Sequence, residues 1–236
     1  MDDDEPMISQ FLQDTFNAVD DYIDSQLVPS DLALDFARQT SEAAGLPQIA
    51  VTPSQGKLLH LLARSVGAVN ILEIGTLGAY STIWLARALP EGGRLVTLEA
   101  DPKHAAVARG NIANAELSDK VELREGAALD TLPELAAEGL AAFDFIFIDA
   151  DKENNANYFE WALKLSRPGS MIFIDNVIRE GAVADEASDD PMVVGVRRLN
   201  EVLAKETRVI ATTIQTVGAK GYDGFTLALV LGNGPS

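Results

Sequence analysis

The chain has 236 residues, 47% hydrophobic and 23% charged, which is typical of a globular protein. Its formal net charge of −18 argues against binding to nucleic acid or an anionic membrane surface, because both depend on Lys and Arg. The absence of cysteine excludes disulfides, thiolate metal ligands and cysteine nucleophiles.

The first 50 residues predict extra N-terminal helices. The acidic start, residues 1–5, is unlike the basic opening of a signal peptide, and no run of about 18 apolar residues predicts a membrane helix. We therefore expect a cytoplasmic protein. Apolar residues recur at helical spacing from Ile8 to Ile23, and a second helix follows a break at 28–30, where Ser30 is a candidate N-cap. A further helix is predicted over 55–66.

From residue 70 onward, short apolar strands alternate with helices. The predicted strands cover 70–74, 94–98, 121–124, 143–148, 171–174, 209–215 and 225–231, and the predicted helices cover 81–89, 102–115, 129–137, 158–166 and 193–205. This alternation predicts an α/β fold with a doubly wound, mostly parallel sheet, closed by an antiparallel pair around a turn at 218–224. Residues 178–192 predict a long loop of a length that is often functional. We expect one domain, with a helical cap at 1–50 and an α/β core at 51–236.

A glycine turn follows the first predicted strand, in the order Glu73, Ile74, Gly75, Thr76. Such a turn lets the backbone approach a ligand and points amide groups at it. In a dinucleotide-binding motif the position of Glu73 would be glycine. A carboxylate is unfavourable beside a pyrophosphate but favourable beside the ammonium of an amino-acid ligand. The turn therefore favours S-adenosylmethionine over NAD.

Glu99 ends the second predicted strand. A carboxylate about 20 residues beyond the glycine turn is placed to accept hydrogen bonds from both hydroxyls of a ribose. The turn and Glu99 together predict a nucleoside ligand, although each alone is a weak signal.

Oxygen-bearing side chains follow two later strands. Asp149 and Asp151 come after the fourth strand, and Asp175 and Asn176 end the fifth. Because the carboxyl ends of parallel strands share one edge of the sheet, Asp149, Asp175 and Asn176 can converge there. Three oxygen donors suit Mg²⁺, with Ca²⁺ or Mn²⁺ as alternatives. The competing interpretation is that these residues cap helices and form a plain turn.

A cation at this edge would give the chain a way to activate a hydroxyl acceptor. Two adjacent hydroxyls can chelate the ion, which acidifies them and fixes one oxygen in line with a methyl group. Lys152 lies one turn beyond Asp149, and a nearby cation favours its neutral amine, which can accept the phenolic proton.

These motifs resemble the cation-dependent O-methyltransferases of the caffeoyl-CoA and catechol type, over about residues 45–231. The resemblance implies a Rossmann-like, seven-stranded methyltransferase sheet with a reversed last strand, a homodimer, and a small-molecule phenolic substrate. It implies that Asp149, Asp175 and Asn176 hold the metal and that Lys152 is the base, with Asp149 also taking part in catalysis. It further implies a cofactor site formed by Val51, Glu73, Gly75, Thr76, Ser81, Glu99, Ala128 and Asp149.

The chain departs from the family pattern at two places. Many members carry an aromatic residue where this chain has Asn155, although Tyr158 matches a second aromatic. The acidic 178–192 loop is poorly suited to the phosphates of coenzyme A, so a small catechol-like phenol is preferred to a thioester.

The sequence alone leaves alternative functions and alternative roles for some residues open. A nicotinamide-dependent oxidoreductase is the nearest enzymatic alternative to a methyltransferase, and a catalytically silent nucleoside-binding module is another. His60 and His104 lie within predicted helices and are interpreted as structural. Lys220 could line a substrate entrance or merely connect a hairpin.

Overall fold

The structure is a computed structural model that describes residues 5–140 and 142–231. Its α-helices are α1 (Glu5–Leu27), α2 (Leu32–Ala43), α3 (Pro53–Ser65), α4 (Tyr80–Ala86), α5 (Pro102–Asn114), α6 (Ala128–Ala137), α7 (Asn155–Lys164) and α8 (Pro191–Lys205). Its strands are β1 (Asn70–Ile74), β2 (Arg94–Glu99), β3 (Val121–Glu125), β4 (Phe143–Ile148), β5 (Ser166–Asp175), β6 (Val209–Gly218) and β7 (Gly221–Val230). None of these helices combines the length and the apolar character needed to cross a bilayer.

Within the described residues, seven strands form one sheet in the order β3-β2-β1-β4-β5-β7-β6. Neighbours among β1 to β5 pair in parallel, whereas β7 runs antiparallel to both β5 and β6. The predicted doubly wound, mostly parallel sheet and its antiparallel closing pair are therefore confirmed.

The bounds of the elements follow the sequence pattern where apolar runs are unambiguous. β1 and β4 have the predicted bounds, because each is a compact apolar run between polar neighbours. β5 begins at Ser166, five residues earlier than predicted, because Ser166 pairs with Phe143 ahead of an irregular Pro-Gly segment that resembles a turn. The hairpin turn is shorter than the predicted 218–224, since β6 and β7 stay paired as far as Gly218 and Gly221.

Two further local predictions are corrected. Ser30 does not cap α2; Asp31 does, and its carboxylate accepts hydrogen bonds of 3.0 Å from the amides of Ala33 and Leu34. The predicted 178–192 loop is partly ordered as a 3-10 helix at Arg179–Ala184. A second 3-10 helix, Lys152–Asn154, precedes α7.

The sheet is buried on both faces by two apolar clusters. Every residue of β4 is buried, and Phe145 and Phe147 enter one cluster while Ile146 and Ile148 enter the other. Burial of such side chains contributes about 1.5–3 kcal/mol each. Phe173 packs edge-on against Phe147 with ring centroids 5.5 Å apart. This packing fixes the strand ends from which Asp149 and Asp175 project.

α1 lies against the β6–β7 hairpin and the start of α3. The side-chain amide of Gln13 donates to the carbonyl of Gly218 over 3.0 Å, and Asp20 Oδ2 accepts the amide of Ala219 over 2.7 Å. Ser54 donates to Asp24 Oδ1 over 2.6 Å. α1 therefore covers the carboxyl edge of the sheet where the β6–β7 hairpin and α3 meet it. The acidic tail at 1–4 and the side chain of Ile8 lie outside the part that the structure describes.

Candidate active site

A cavity of about 1410 Å³ opens at the carboxyl edge of the parallel strands. This is the edge at which ligands bind in doubly wound sheets. Its wall contains every residue that the sequence predicted for the site except Glu73, namely Val51, Gly75, Thr76, Ser81, Glu99, Ala128, Asp149, Lys152, Asp175 and Asn176. One cavity therefore brings together the predicted cofactor, metal and base residues.

The glycine turn runs closely against the end of β4. Gly75 has φ 99°, and a Cβ there would collide with the backbone carbonyl of Asp149. At Gly78 a Cβ would collide with the hydroxyl of Ser41 in α2. The turn therefore requires glycine for close approach, and it places the backbone of the predicted cofactor site against that of the predicted metal site.

Glu73 lies beneath the turn and is fully buried. Its carboxylate accepts hydrogen bonds from the hydroxyls of Ser81 (2.6 Å), Thr82 (2.5 Å) and Thr97 (2.7 Å). Burial raises the pKa of Glu73 to about 7 against the opposing effect of these donors, and the charge of Asp149 adds to the rise. Glu73 thus anchors Ser81 in the cavity wall, and its contact with a ligand ammonium stays a prediction.

Glu99 lines the cavity and turns toward the glycine turn. Its Oε2 accepts the amides of Thr76 (3.2 Å) and Leu77 (2.7 Å), and its Oε1 accepts the amide of Asp101 (2.9 Å). A carboxylate can accept about four hydrogen bonds, so capacity remains for a ribose hydroxyl. The ribose contact stays a prediction.

Asp149 and Asp175 stand side by side because β4 and β5 pair in parallel, with Ile148 opposite Ile174. Asp175 is buried, and Gln55 donates to its Oδ2 over 2.7 Å. Burial and the charge of Asp149 raise the pKa of Asp175, while Lys152 opposes that rise. Asn176 follows at φ 56° in the wall of the same cavity.

The potential ligand set differs from an all-acidic metal cluster. No three His, Cys, Asp or Glu side chains converge as metal ligands among the residues that the structure covers. The set at this edge consists instead of two carboxylates and the amide of Asn176. Its donors are all oxygen if the amide oxygen faces inward.

Lys152 occupies the 3-10 helix that follows β4, and it is buried. Its Nζ lies 2.8 Å from Asp149 Oδ1. The backbone of Lys152 packs against Gly195 of α8, where a Cβ would collide with it. Asp151 accepts a hydrogen bond from Tyr158, and burial together with Asp151 raises the pKa of that phenol. Lys152 is therefore held rigidly beside the carboxylate pair.

The structure adds site residues that the sequence did not identify. Gln55 reaches Asp175 from α3, and Nδ1 of His104 lies 3.6 Å from Glu99 Oε1 in the cavity wall. His104 thus faces the site, whereas His60 contacts the carbonyl of Trp84 at 3.1 Å. At the departure from the family pattern, Asn155 is fully buried, and its amide has no hydrogen-bond partner among the described residues.

Comparison with known proteins places this fold and cavity among the O-methyltransferases. A model of the O-methyltransferase family matches residues 26–231. A catechol O-methyltransferase of Niastella koreensis is 56% identical over 91% of this chain and 97% of its own length. One of Mycobacterium tuberculosis is 54% identical over 90% of this chain and 94% of its own.

Solved structures agree with this placement. An O-methyltransferase from Bacillus cereus in complex with SAH has a TM-score of 0.91 and 59% identity, over 92% of this chain and 99% of that one. An O-methyltransferase of Streptomyces achromogenes involved in tomaymycin synthesis was solved in complex with SAM. It has a TM-score of 0.91 and 54% identity, over 93% of this chain and 99% of that one.

The fold and the cavity define a Rossmann-like methyltransferase that uses S-adenosylmethionine. The chain belongs to the O-methyltransferase family and is an S-adenosylmethionine-dependent O-methyltransferase. Methyl transfer is thereby favoured over the nicotinamide-dependent alternative.

Glu73→Gln tests the burial of the carboxylate through the pH dependence of stability. The folded chain raises the pKa of Glu73 from its ordinary 4.5 to about 7, so its stabilising effect is complete below pH 4.5 and is lost as the pH rises through 7. Glutamine has no such dependence. Between pH 5 and 8 we expect the unfolding free energy of the wild type to fall by about 2–3 kcal/mol relative to the variant.

Urea unfolding at several pH values measures this difference, and Glu91→Gln at an exposed position is the matched control. Parallel pH profiles for the wild type and Glu73→Gln would contradict the assignment.

Proposed function

We propose that this enzyme transfers the methyl group of S-adenosylmethionine to one hydroxyl of a small vicinal dihydroxy phenol, with the help of a divalent cation. The observation that carries the proposal is the juxtaposition of Asp149, Asp175 and Asn176 beside the cofactor turn and Lys152. Relatives named catechol O-methyltransferase support the choice of acceptor.

The charges at the carboxyl edge fit a hard cation. Asp149, which is partly buried, and Asp175, which is buried, place two carboxylates side by side, and Lys152 supplies one positive charge. The raised pKa of Asp175 reflects this lack of compensation, since burial and the neighbouring carboxylate both disfavour its charged form. Oxygen donors suit Mg²⁺ first, and Ca²⁺ or Mn²⁺ are the alternatives that metal substitution distinguishes.

The cofactor would lie along the glycine turn. The methionine end would contact Val51, Gly75, Thr76 and Ser81, with Glu73 supporting Ser81 from below. The ribose would lie at Glu99, and the adenine at Ala128. Asp149 and Lys152 line the same cavity, so the acceptor hydroxyl and the sulfonium methyl group would meet within it.

Lys152 would act as the general base. Its amine accepts the proton of the acceptor hydroxyl, the oxygen forms a bond to the methyl carbon, and the carbon–sulfur bond breaks to leave S-adenosylhomocysteine. A divalent cation, when bound, polarises the two neighbouring hydroxyl oxygens. Lys152 Nζ lies 2.8 Å from Asp149 Oδ1, so the base would stand beside a carboxylate that would hold the cation.

The helices before Val51 would form a cap over the core at 51–236. α1 and α2 contribute Asp20, Asp24 and Arg38 to the cavity wall, which narrows the entrance. The segment 178–192 carries five acidic residues, Glu180, Asp185, Glu186, Asp189 and Asp190. This charge disfavours the phosphates of coenzyme A, so a small phenol fits better than a thioester.

A homodimer would cover exposed apolar surface. β6 is the last strand of the sheet, and Ile210, Ile214 and Val217 on it are exposed. Phe11 and Tyr22 on α1 are 69% and 67% exposed. An open edge strand flanked by apolar side chains is a site for pairing with a second copy.

Asp175→Ala tests the cation site. We expect metal-stimulated turnover of a catechol to fall at least about a hundredfold, because one of two carboxylate ligands is lost. The affinity for S-adenosylhomocysteine should change little. Methyl transfer with Mg²⁺ and with chelator, together with calorimetry, measures both quantities. Asp185→Ala is the control, and full activity of Asp175→Ala would refute the assignment.

Lys152→Met tests the base. We expect kcat to fall about 10²–10⁴-fold while cofactor affinity is largely kept. Lys152→Arg should not restore the rate, because a guanidinium stays protonated. The pH–rate profile is the measurement, with Lys164→Met as a surface control. Equal turnover by wild type and Lys152→Met across pH would rule out this base.

Ile214→Asp tests the dimer. Sedimentation velocity should show twice the mass of one chain for the wild type, and the mass of one chain for the variant, because a charge at an apolar interface is costly to bury. Leu32→Asp, at an exposed position on α2, should leave the dimer intact. A wild type that sediments as a single chain would contradict the proposal.

A further inference from the structure

A second lysine besides Lys152 lines the cavity. Lys220 lies in the two-residue turn between β6 and β7 and lines the cavity wall. Its ammonium donates to the backbone carbonyl of Ala50, next to the predicted cofactor residue Val51. The hairpin tip therefore contacts the segment before α3 in the cavity wall.

The position of the tip is fixed from the side of α1. Asp20 accepts the amide of Ala219, and Gln13 donates to the carbonyl of Gly218. A Cβ at Gly218 would come within 2.6 Å of Asp20 Oδ2, so the close contact depends on glycine. Lys220 is thus presented to the cavity by a backbone that other contacts hold in place.

The charge of Lys220 lacks a close carboxylate partner. Asp149 and Asp175 attract its ammonium and Arg38 of α2 repels it. Nevertheless, no Asp or Glu oxygen lies within 4.0 Å of Lys220 Nζ among the described residues.

Four of the carboxylates that line the cavity have other partners. Asp149 forms a salt bridge with Lys152, and Asp175 accepts a hydrogen bond from Gln55. Asp20 accepts a hydrogen bond from the amide of Ala219, and Asp24 accepts one from the hydroxyl of Ser54.

An ammonium carries three N–H donors, and the carbonyl of Ala50 accepts from one. Two like charges, Lys220 and Arg38, therefore face the cavity from the hairpin and from α2 with donors to spare. A negatively charged group between them would form charge-assisted hydrogen bonds and relieve their repulsion. With its hydroxyls at Asp149 and Asp175, an acceptor would extend toward Lys220, whose charge interacts with the same two carboxylates and which lines the same cavity.

We propose that Lys220 contacts the acceptor and selects phenols that carry an anionic substituent, such as a ring carboxylate. The inference rests on the proposed function, because it places the acceptor hydroxyls at Asp149 and Asp175. It adds a charge preference that the Asp149–Asp175 site and Lys152 do not themselves provide.

Two probes that differ in one charge test the inference. They are 3,4-dihydroxybenzoate and its methyl ester, which share the two hydroxyls. We expect the wild type to show the higher kcat/KM for the acid. Lys220→Met should lose about tenfold in kcat/KM on the acid and less than about twofold on the ester. Lys220→Arg should keep most of the preference.

A binding measurement separates contact from structural support. With S-adenosylhomocysteine and Mg²⁺ present, calorimetry should show weaker binding of the acid to Lys220→Met and unchanged binding of S-adenosylhomocysteine. Lys57→Met is the matched control, because Lys57 also donates to a backbone carbonyl, that of Leu27, but lies outside the cavity wall.

The outcomes distinguish the two proposals. An equal loss on both probes, or no loss on either, would overturn the role of Lys220 and leave the proposed function intact. A wild type with a higher kcat/KM for the ester than for the acid would also overturn the role of Lys220 and leave the proposed function intact. A wild type that methylates neither probe would overturn both.

Discussion

The parallel pairing of β4 with β5 is the constraint on which the site depends. Its register sets Ile148 opposite Ile174, so Asp149 and Asp175 leave the sheet together. Two neighbouring carboxylates, of which Asp175 is buried, are unfavourable unless positive charge or donors compensate them. Lys152 and Gln55 supply part of that compensation. The large apolar contacts along both strands hold the pair in place against their repulsion.

The same constraint joins the two halves of the reaction. The backbone of the glycine turn touches the backbone after β4, and only the lack of a side chain at Gly75 permits this. The groups that would hold the methyl donor and those that would hold the acceptor are therefore parts of one rigid unit. In-line transfer gains from such fixed placement, because little motion is then needed to align the reacting atoms.

Much of this arrangement could be predicted from the sequence. The apolar runs of β1 and β4 gave both bounds, and the rule that strand ends share one edge brought Asp149 and Asp175 together. The orientation of Glu73 could not be predicted, because which partner a buried carboxylate finds depends on hydroxyls from two other elements, α4 and β2. Gln55 and His104 were missed for a related reason: which side of a helix faces a cavity depends on tertiary packing.

The local errors have physical causes as well. Ser30 and Asp31 are both good capping residues in adjacent positions, and the chain path decides between them. Glycine at 218–224 resembles a long turn, but pairing of β6 with β7 extends through it. Strand pairing over ten residues outweighs a local preference for a turn.

The reversed direction of β7 has a consequence for how such enzymes can diversify. In a fully parallel sheet, the segment entering the last strand would lie at the far edge, remote from chemistry. Here the entry to β7 lies at the reactive edge, so a short surface hairpin borders the cavity. Sequence changes at that tip can alter which molecules are accepted while the buried strands, and the alignment that they maintain, stay as they are.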